Sequence, residues 1–268
     1  MRAQAGFEPY VATIGTGARK ALALHCTMAF SGAWKGFSTC LGDDWTLIAP
    51  DMPSHGRSAD WDMVSDFSDT VYAASLACLS EPMDVIGHSF GGVTALRLAV
   101  EHPDLVRSLT MIEPVFFHAA DLTDPAVVAD HNSAARAVFD ALDEGDRETA
   151  ARLFNKMWSS DAPRWADVPE QVRGAMMRAI SVVPDTHDFL YDDTAKLMAR
   201  LGTVTIPSLL VRGALSHGII AATNRTLAHQ LQNARDEKIA GAGHMAPITH
   251  PKEMARLWSD FVNGPTGS

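Results

Sequence analysis

Cysteine, tyrosine and positive charge are all scarce in this chain. Of its 268 residues three are cysteine and three are tyrosine, and 22 Lys+Arg stand against 32 Asp+Glu, a formal net charge of −10. Cys26, Cys40 and Cys78 are too few and too scattered for a disulfide framework or a zinc site, and are expected as reduced, mostly buried thiols. The acidic balance removes the attraction that drives binding to a phosphate backbone, so nucleic acid is not expected as a partner. No apolar stretch approaches the ~20 residues needed to span a bilayer, so no membrane partner is expected either. Met1 to Gly15 hold one Arg, then Glu8 and Pro9, without a continuous apolar run, and no secretory leader is expected. The expectation is a soluble cytoplasmic protein, monomer or homodimer, that acts on a small molecule.

What is present is ordinary for a globular chain: 47% hydrophobic and 20% charged residues, at a length that suits one large domain or a core carrying an insertion. Residues 21–26 (ALALHC), 46–50 (TLIAP), 83–87 (MDVIG) and 108–112 (SLTMI) are short continuous apolar runs that predict buried strands. Between the second and third lies a helical stripe in 67–79, carried by Val71, Ala74, Leu76 and Leu79. Between the third and fourth lies 92–100, closed by Pro103. Apolar strands alternating with helices imply a parallel sheet covered on both faces. The alternation then stops. Residues from about 119 to 200 predict no strand, only helices over 124–142, 147–158, 170–180 and 192–201, broken by Pro163, Pro169 and Pro184. Strand-like text resumes at 208–212 and 236–240. A last helix over 252–262 puts Met254, Leu257, Trp258 and Phe261 on one stripe that should dock on the sheet. The tail 264–268 is expected to be loose.

Gly87-His88-Ser89-Phe90-Gly91 matches G-x-S-x-G and falls between a predicted strand and a predicted helix, the context that gives this motif its meaning. Ser89 then sits on a tight turn at a helix N-terminus, where flanking glycines avoid clashes and free N–H groups favour developing negative charge. The competing assignment is an ordinary helix N-cap. A serine hydroxyl needs a neighbour to take its proton. Of eleven histidines, His244 stands out, in a glycine-rich turn after the last predicted strand and before the final helix. His102 and His250 precede proline at helix boundaries, and His88 is expected to point into the core. His55, His118, His131, His187, His217 and His229 fit surface or cap positions.

This order of strands, GHSFGG, helical insertion and GAGHM resembles the α/β-hydrolase superfamily over nearly the whole chain. Asp51-Met52-Pro53-Ser54-His55-Gly56-Arg57-Ser58 resembles the family's D-x-P-G-H-G-x-S turn, with Ser54 where glycine is usual. The resemblance implies an α/β-hydrolase fold with a mostly parallel, eight-stranded sheet and a helical cap between strands six and seven. It assigns residues 1–116 and 203–268 to the core and 117–202 to the cap. In many members the acid that orients the histidine follows strand seven in a G-x-x-D pattern. Here the text is Gly213-Ala214-Leu215-Ser216, and a serine cannot supply the negative charge that stabilises an imidazolium. Glu113, at the end of strand six, is the expected acid, a placement similar to that of some haloalkane dehalogenases. An ionised carboxylate closing an apolar strand is costly unless paired. Asp188, Asp192 and Asp193 are remote alternatives in the cap. The likeness to dehalogenases ends at topology, because those enzymes use Asp as nucleophile, and serine suits acyl transfer.

A tetrahedral intermediate needs donors aimed at its oxygen, each worth ~3 kcal/mol. The backbone N–H of Phe90 is one, and Thr27, with Met28 second, supplies the other. Met28, Phe117, Trp158 and Met177 are expected to line an apolar pocket. No basic cluster in the cap suggests a phosphorylated or coenzyme A substrate, though Arg164, Arg173 and Arg178 leave that open. The resulting expectation is a serine hydrolase of small to medium carboxylic esters that needs no metal or organic cofactor, with Ser89 as nucleophile, His244 as base and Glu113 as acid. Two alternatives stay open: hydrolysis of lactones (acyl-homoserine lactones among them) or of C–C bonds, and a non-catalytic ligand-binding protein on the same fold.

Overall fold

The six stretches that predict strands become parallel strands. The computed structural model describes residues 3–159 and 162–264; of the tail expected to be loose, 265–268 lies outside the described residues. β1 (Val11–Ile14), β2 (Arg19–Leu24), β3 (Trp45–Pro50), β4 (Met83–His88), β5 (Val106–Ile112), β6 (Ser208–Gly213) and β7 (Ala234–Ile239) form one sheet in the order β1-β3-β2-β4-β5-β6-β7. β1 runs antiparallel to β3 and every other pair is parallel. Helices α1 (Lys35–Leu41), α2 (Phe67–Ala77) and α3 (Phe90–Glu101) follow β2, β3 and β4. Between β5 and β6 lie α4 (Phe117–Asp121), α5 (Pro125–Asp143), α6 (Arg147–Trp158), α7 (Glu170–Ala179) and α8 (His187–Tyr191). α9 (Gly218–Gln230) joins β6 to β7, and α10 (Ala246–Thr249) and α11 (Pro251–Asn263) close the chain.

The sheet has seven strands among the described residues, not the expected eight. The chain ahead of β1 spends its amides on side chains rather than on a neighbouring strand: Gln4 N–H donates to Thr70 Oγ1 (2.8 Å) and Tyr10 N–H to Ser58 Oγ (2.9 Å). The insertion therefore falls between β5 and β6 of this sheet.

Period-two alternation divides the strands between two apolar layers. Leu22 and Leu24 of β2, Val85 of β4 and Met111 of β5 join one layer, under α2, α3 and α9. Ala21, Ala23, Ile86 and Ile112 face the other, where Phe37 of α1 and Met254 and Trp258 of α11 pack. Trp258 is fully buried, 4.4 Å from Trp45 and 5.6 Å from Phe37 between ring centroids, so the last helix docks by the stripe its sequence announced. The insertion has a small apolar cluster of its own, built on Val138, Ala150, Ile180 and Val183. Aspartates start its longer helices: Asp124 accepts from Val127 N–H at the head of α5 and Asp146 from Thr149 N–H at the head of α6. The outermost strand, β7, carries exposed Arg235, Asp236, Glu237 and Lys238.

One predicted helix is absent. Residues 192–197 turn and Met198–Thr203 form only a 3-10 helix, because Asp193 (φ 49°) and Lys196 (φ 54°) adopt left-handed backbone. The Asp193 carboxylate also takes the N–H groups of Leu197 (2.7 Å) and Met198 (2.9 Å). No helix of the described chain is long and apolar enough to cross a membrane.

Candidate active site

Sheet register sets the first two groups side by side. His88 of β4 lies opposite Ile112 of β5, and Ile112 opposite Val211 of β6. Ser89 and Glu113 are each the first residue beyond their strands. Ser89 N–H donates to Ile112 O and Glu113 N–H to Val211 O, both at 2.8 Å. Both then turn through left-handed backbone, with φ of 56° and 52°, a conformation that costs a non-glycine residue ~1–3 kcal/mol. Around Ser89 the turn closes because Gly87 and Gly91 have no side chain. A Cβ on Gly87 would run into the Gly91 backbone, and one on Gly91 into the Leu24 and His25 carbonyl oxygens.

Glu113 is wholly buried and both of its carboxylate oxygens are engaged. Oε2 lies 3.0 Å from His244 Nδ1, while Oε1 accepts from Gly213 N–H and from the Ser216 hydroxyl, each at 2.5 Å. Ser216, standing where the resemblance places an acid, thus donates to the carboxylate that has moved next door. The other carboxylates considered are elsewhere: Asp188 and Asp192 are exposed, and Asp193 is spent on its own turn. Ser216→Ala is expected to lower kcat by less than tenfold, because Gly213 N–H still holds Oε1. Steady-state kinetics on a chromogenic ester checks this, and a loss of a hundredfold or more would contradict it.

His244 sits between β7 and α10 and is fixed from two sides. His88 Nε2–H donates to the His244 carbonyl (2.8 Å), and the Trp158 ring packs against the imidazole with centroids 4.3 Å apart. The expectation that His88 points into the core is met, with a tether to the His244 turn added. Ser89 and His244 line one cavity; no hydrogen bond joins them among the described residues. Such contacts are often long until substrate closes them.

Two further histidines shape the loop after β2. His25 Nε2 accepts from Met52 N–H (3.0 Å) and its Nδ1–H donates to Cys26 O (2.8 Å). His55 Nε2 accepts from Met28 N–H (3.1 Å) and its Nδ1–H donates to Pro53 O (2.7 Å). The accepting nitrogens fix both tautomers. With its amide engaged, Met28 is removed as an oxyanion donor, while the Thr27 N–H makes no hydrogen bond among the described residues. The Phe90 N–H opens α3, where an amide has no partner in its own helix. His55 was expected near the surface and is buried; loop text has no periodicity from which burial could be read. Cys26, beside it, is a buried thiol pushed up to about 12 by burial, whereas Cys78 is half-buried and Cys40 exposed, so burial of the thiols holds only in part.

Burial pushes His55 and His88 down to about 3, and lowers His25 as well. The folded chain holds these rings neutral, while the unfolded chain protonates them below about 6.5. Their contribution is therefore complete above pH 6.5 and is lost as pH falls toward 3. Between pH 6.5 and pH 5 the loss is about 2 kcal/mol for each of His55 and His88. Urea unfolding at pH 7.5 and pH 5 should show the midpoint dropping sharply at the lower pH. A midpoint unchanged between the two would contradict it.

Two cavities meet at Ser89. The larger is walled by Phe117, Val138, Phe154, Trp158 and Leu190, with Thr27 and Phe90 beside the serine. The smaller contains His244, Cys26, Met28, Asn155 and Met176. Of the expected pocket residues, Met28, Phe117 and Trp158 line these spaces. Met177 does not: it packs on the insertion's own apolar cluster, and its neighbour Met176, one position round the helix, lines the second cavity instead.

A family model described as alpha/beta hydrolase fold matches residues 22–251, a span holding Ser89, Glu113 and His244. The chain belongs to the α/β-hydrolase family. It is 33% identical over 268 residues to a pimeloyl-[acyl-carrier protein] methyl ester esterase of Methylococcus capsulatus, covering 94% of this chain and 98% of that one. To the protein of the same name from Chromobacterium violaceum it is 26% identical over 261 residues, covering 94% and 97%. Among solved structures, an α/β hydrolase from Sphaerobacter thermophilus superposes with a TM-score of 0.72 at 21% identity, covering 98% of this chain and 99% of that one.

In this α/β hydrolase two of the three candidate arginines are occupied within the chain. Arg178 bonds to Asp60, to Gly56 O and to Ser58 O, and Arg164 to Asp167. Among the described residues no cluster of three or more His, Cys, Asp or Glu side chains is spaced for a metal ion. His131 also belongs to the site, beyond the surface or cap position expected of it. It is buried on the inward face of α5, at the spacing Val128, His131, Ala135, Val138, and that stripe was available in the sequence.

Proposed function

We propose that this carboxylester hydrolase works through an acyl-enzyme on Ser89, with His244 as acid–base and Glu113 orienting the imidazole. The observation that carries the reading is the 3.0 Å contact between Glu113 Oε2 and Nδ1 of a histidine that shares a cavity wall with Ser89. Ser89 Oγ attacks the ester carbonyl carbon while His244 Nε2 takes its proton. The oxygen that becomes negative is held by the N–H groups of Phe90 and Thr27. Collapse breaks the bond to the alcohol, which leaves with the proton from His244. Water then enters, gives a proton to His244 and attacks the acyl carbon, and Ser89 recovers its proton as the acid departs.

The two cavities divide the substrate. Because the departing alcohol takes its proton from His244, it lies in the cavity that has His244 in its wall. The acyl chain then fills the larger one, whose wall is mostly apolar. Residues 117–202 act as a cap over a core of 1–116 and 203–268, since the acyl cavity is walled largely by α5, α6 and α8. The relatives named as methyl ester esterases support an ester as the substrate.

The test is a fluorophosphonate probe on the folded protein, followed by peptide mass spectrometry. A single adduct on Ser89, together with turnover of p-nitrophenyl butyrate, is expected. No adduct would leave a ligand-binding protein, and turnover of lactones in preference to acyclic esters would replace the ester substrate.

A further inference from the structure

His131 is a polar side chain in an apolar place. It lies in the wall of the larger cavity beside Ser89, 8% exposed, with ring centroids 4.7 Å from Phe117 and 5.3 Å from Trp158. Neither ring nitrogen has a hydrogen-bond partner among the described residues, and Nδ1 is completely covered. Buried polar groups without partners are rare in folded chains because they are costly, and each calls for an explanation. Of the covered polar atoms lacking a partner here, that of His131 alone belongs to a wall of this cavity.

The other polar groups of the wall are already committed. Tyr191 Oη donates to Asn132 Oδ1 (2.7 Å) and Thr186 Oγ1 to Val183 O (2.8 Å). Thr27 and Ser89 belong to the reacting centre, and His187 is exposed at the edge. Burial holds the His131 ring near 4, with repulsion from His217 and His244 adding, so at neutral pH it offers one N–H donor and one acceptor nitrogen and no charge. Among the described residues no Lys or Arg lines the cavity, which disfavours a carboxylate inside it.

We propose that His131, through Nε2, the ring nitrogen that is not covered, is a recognition point for an uncharged oxygen, a hydroxyl or carbonyl, carried several carbons along the substrate's acyl chain. This rests on the assignment of the larger cavity to the acyl group. Trp158 packs against both imidazoles, 5.3 Å from His131 and 4.3 Å from His244, and His131 does not touch the reacting serine, so the oxygen it reads lies along the chain and away from the reacting carbon. The natural substrate is then an oxygenated acyl ester rather than a plain alkanoate.

The experiment compares p-nitrophenyl hexanoate and heptanoate with their 4-oxo, 5-oxo and 6-oxo counterparts, each rate divided by its alkaline hydrolysis rate. For the wild type the best-placed keto ester should show kcat/KM about tenfold above its plain partner. His131→Phe should bring that ratio to within about twofold of one, and His131→Gln should keep part of it. The melting temperature gives a second readout, since His131→Phe removes an unpaired buried polar group and should raise it. A wild-type ratio near one across the series, or a ratio that survives in His131→Phe, overturns the proposal. If Ser89 carries the fluorophosphonate adduct and the ratio is flat, only the His131 proposal falls; if no ester is turned over and no adduct forms, both readings fall.

Discussion

Ser89→Ala is expected to lower kcat for p-nitrophenyl butyrate by about five orders of magnitude, with KM changed only severalfold. Without the hydroxyl no acyl-enzyme forms, and what remains is catalysis by the oxyanion donors and by binding. The substitution isolates chemistry from folding unusually well. Ser89 Oγ caps nothing at the head of α3; the Gly92 and Val93 amides bond to the Ser89 carbonyl oxygen instead (2.9 and 3.3 Å), and alanine keeps that oxygen. Circular dichroism and thermal melting should match the wild type. Activity within tenfold of the wild type, after removal of any contaminating esterase, would take Ser89 out of the reaction.

Glu113→Gln should lower kcat by about four orders of magnitude, through the tautomer of His244 rather than through charge alone. The site at Oε1 receives two donors, Gly213 N–H and Ser216 Oγ–H, so the amide oxygen of glutamine must sit there. Its NH₂ group then points at His244 Nδ1. That nitrogen must accept, the proton moves to Nε2, and the nitrogen facing the serine can no longer take a proton. Adding Ser216→Asp to this variant should recover about a hundredfold, since a carboxylate then enters from the loop whose hydroxyl already bonds at this position. A Glu113→Gln enzyme with kcat within tenfold of the wild type would remove the carboxylate from the mechanism.

Much of this arrangement is legible in the sequence, and the parts that are not share physical causes. The parallel strands β2 to β6 are built on continuous apolar runs, and runs of that kind arise where both faces are covered. Glu113 was found because the place where an acid was expected holds Ser216, and a charged residue closing an apolar strand needs a partner. β1 escaped notice because it is four residues long and half exposed. α9 escaped because Ile219, Ile220, Thr223 and Asn224 are all buried, so no polar face announces a helix. The break at 192–201 comes from left-handed backbone at Asp193 and Lys196, which side-chain periodicity does not report. His55 was misjudged for a related reason: its burial depends on a contact with Met28, 27 positions away. His131 differs, since it stands on the stripe with Val128, Ala135 and Val138, whose spacing itself marks a buried position.

The last strand of the sheet bears on how the protein behaves in concentrated solution. An unpaired strand border offers free N–H and C=O groups to any second chain, and a flat apolar one invites fibril-like stacking. Along β7 that border is lined by Arg235, Asp236, Glu237 and Lys238. A second copy laid against it would have to strip water from charges of both signs, and the rim thereby discourages aggregation without help from any covering helix.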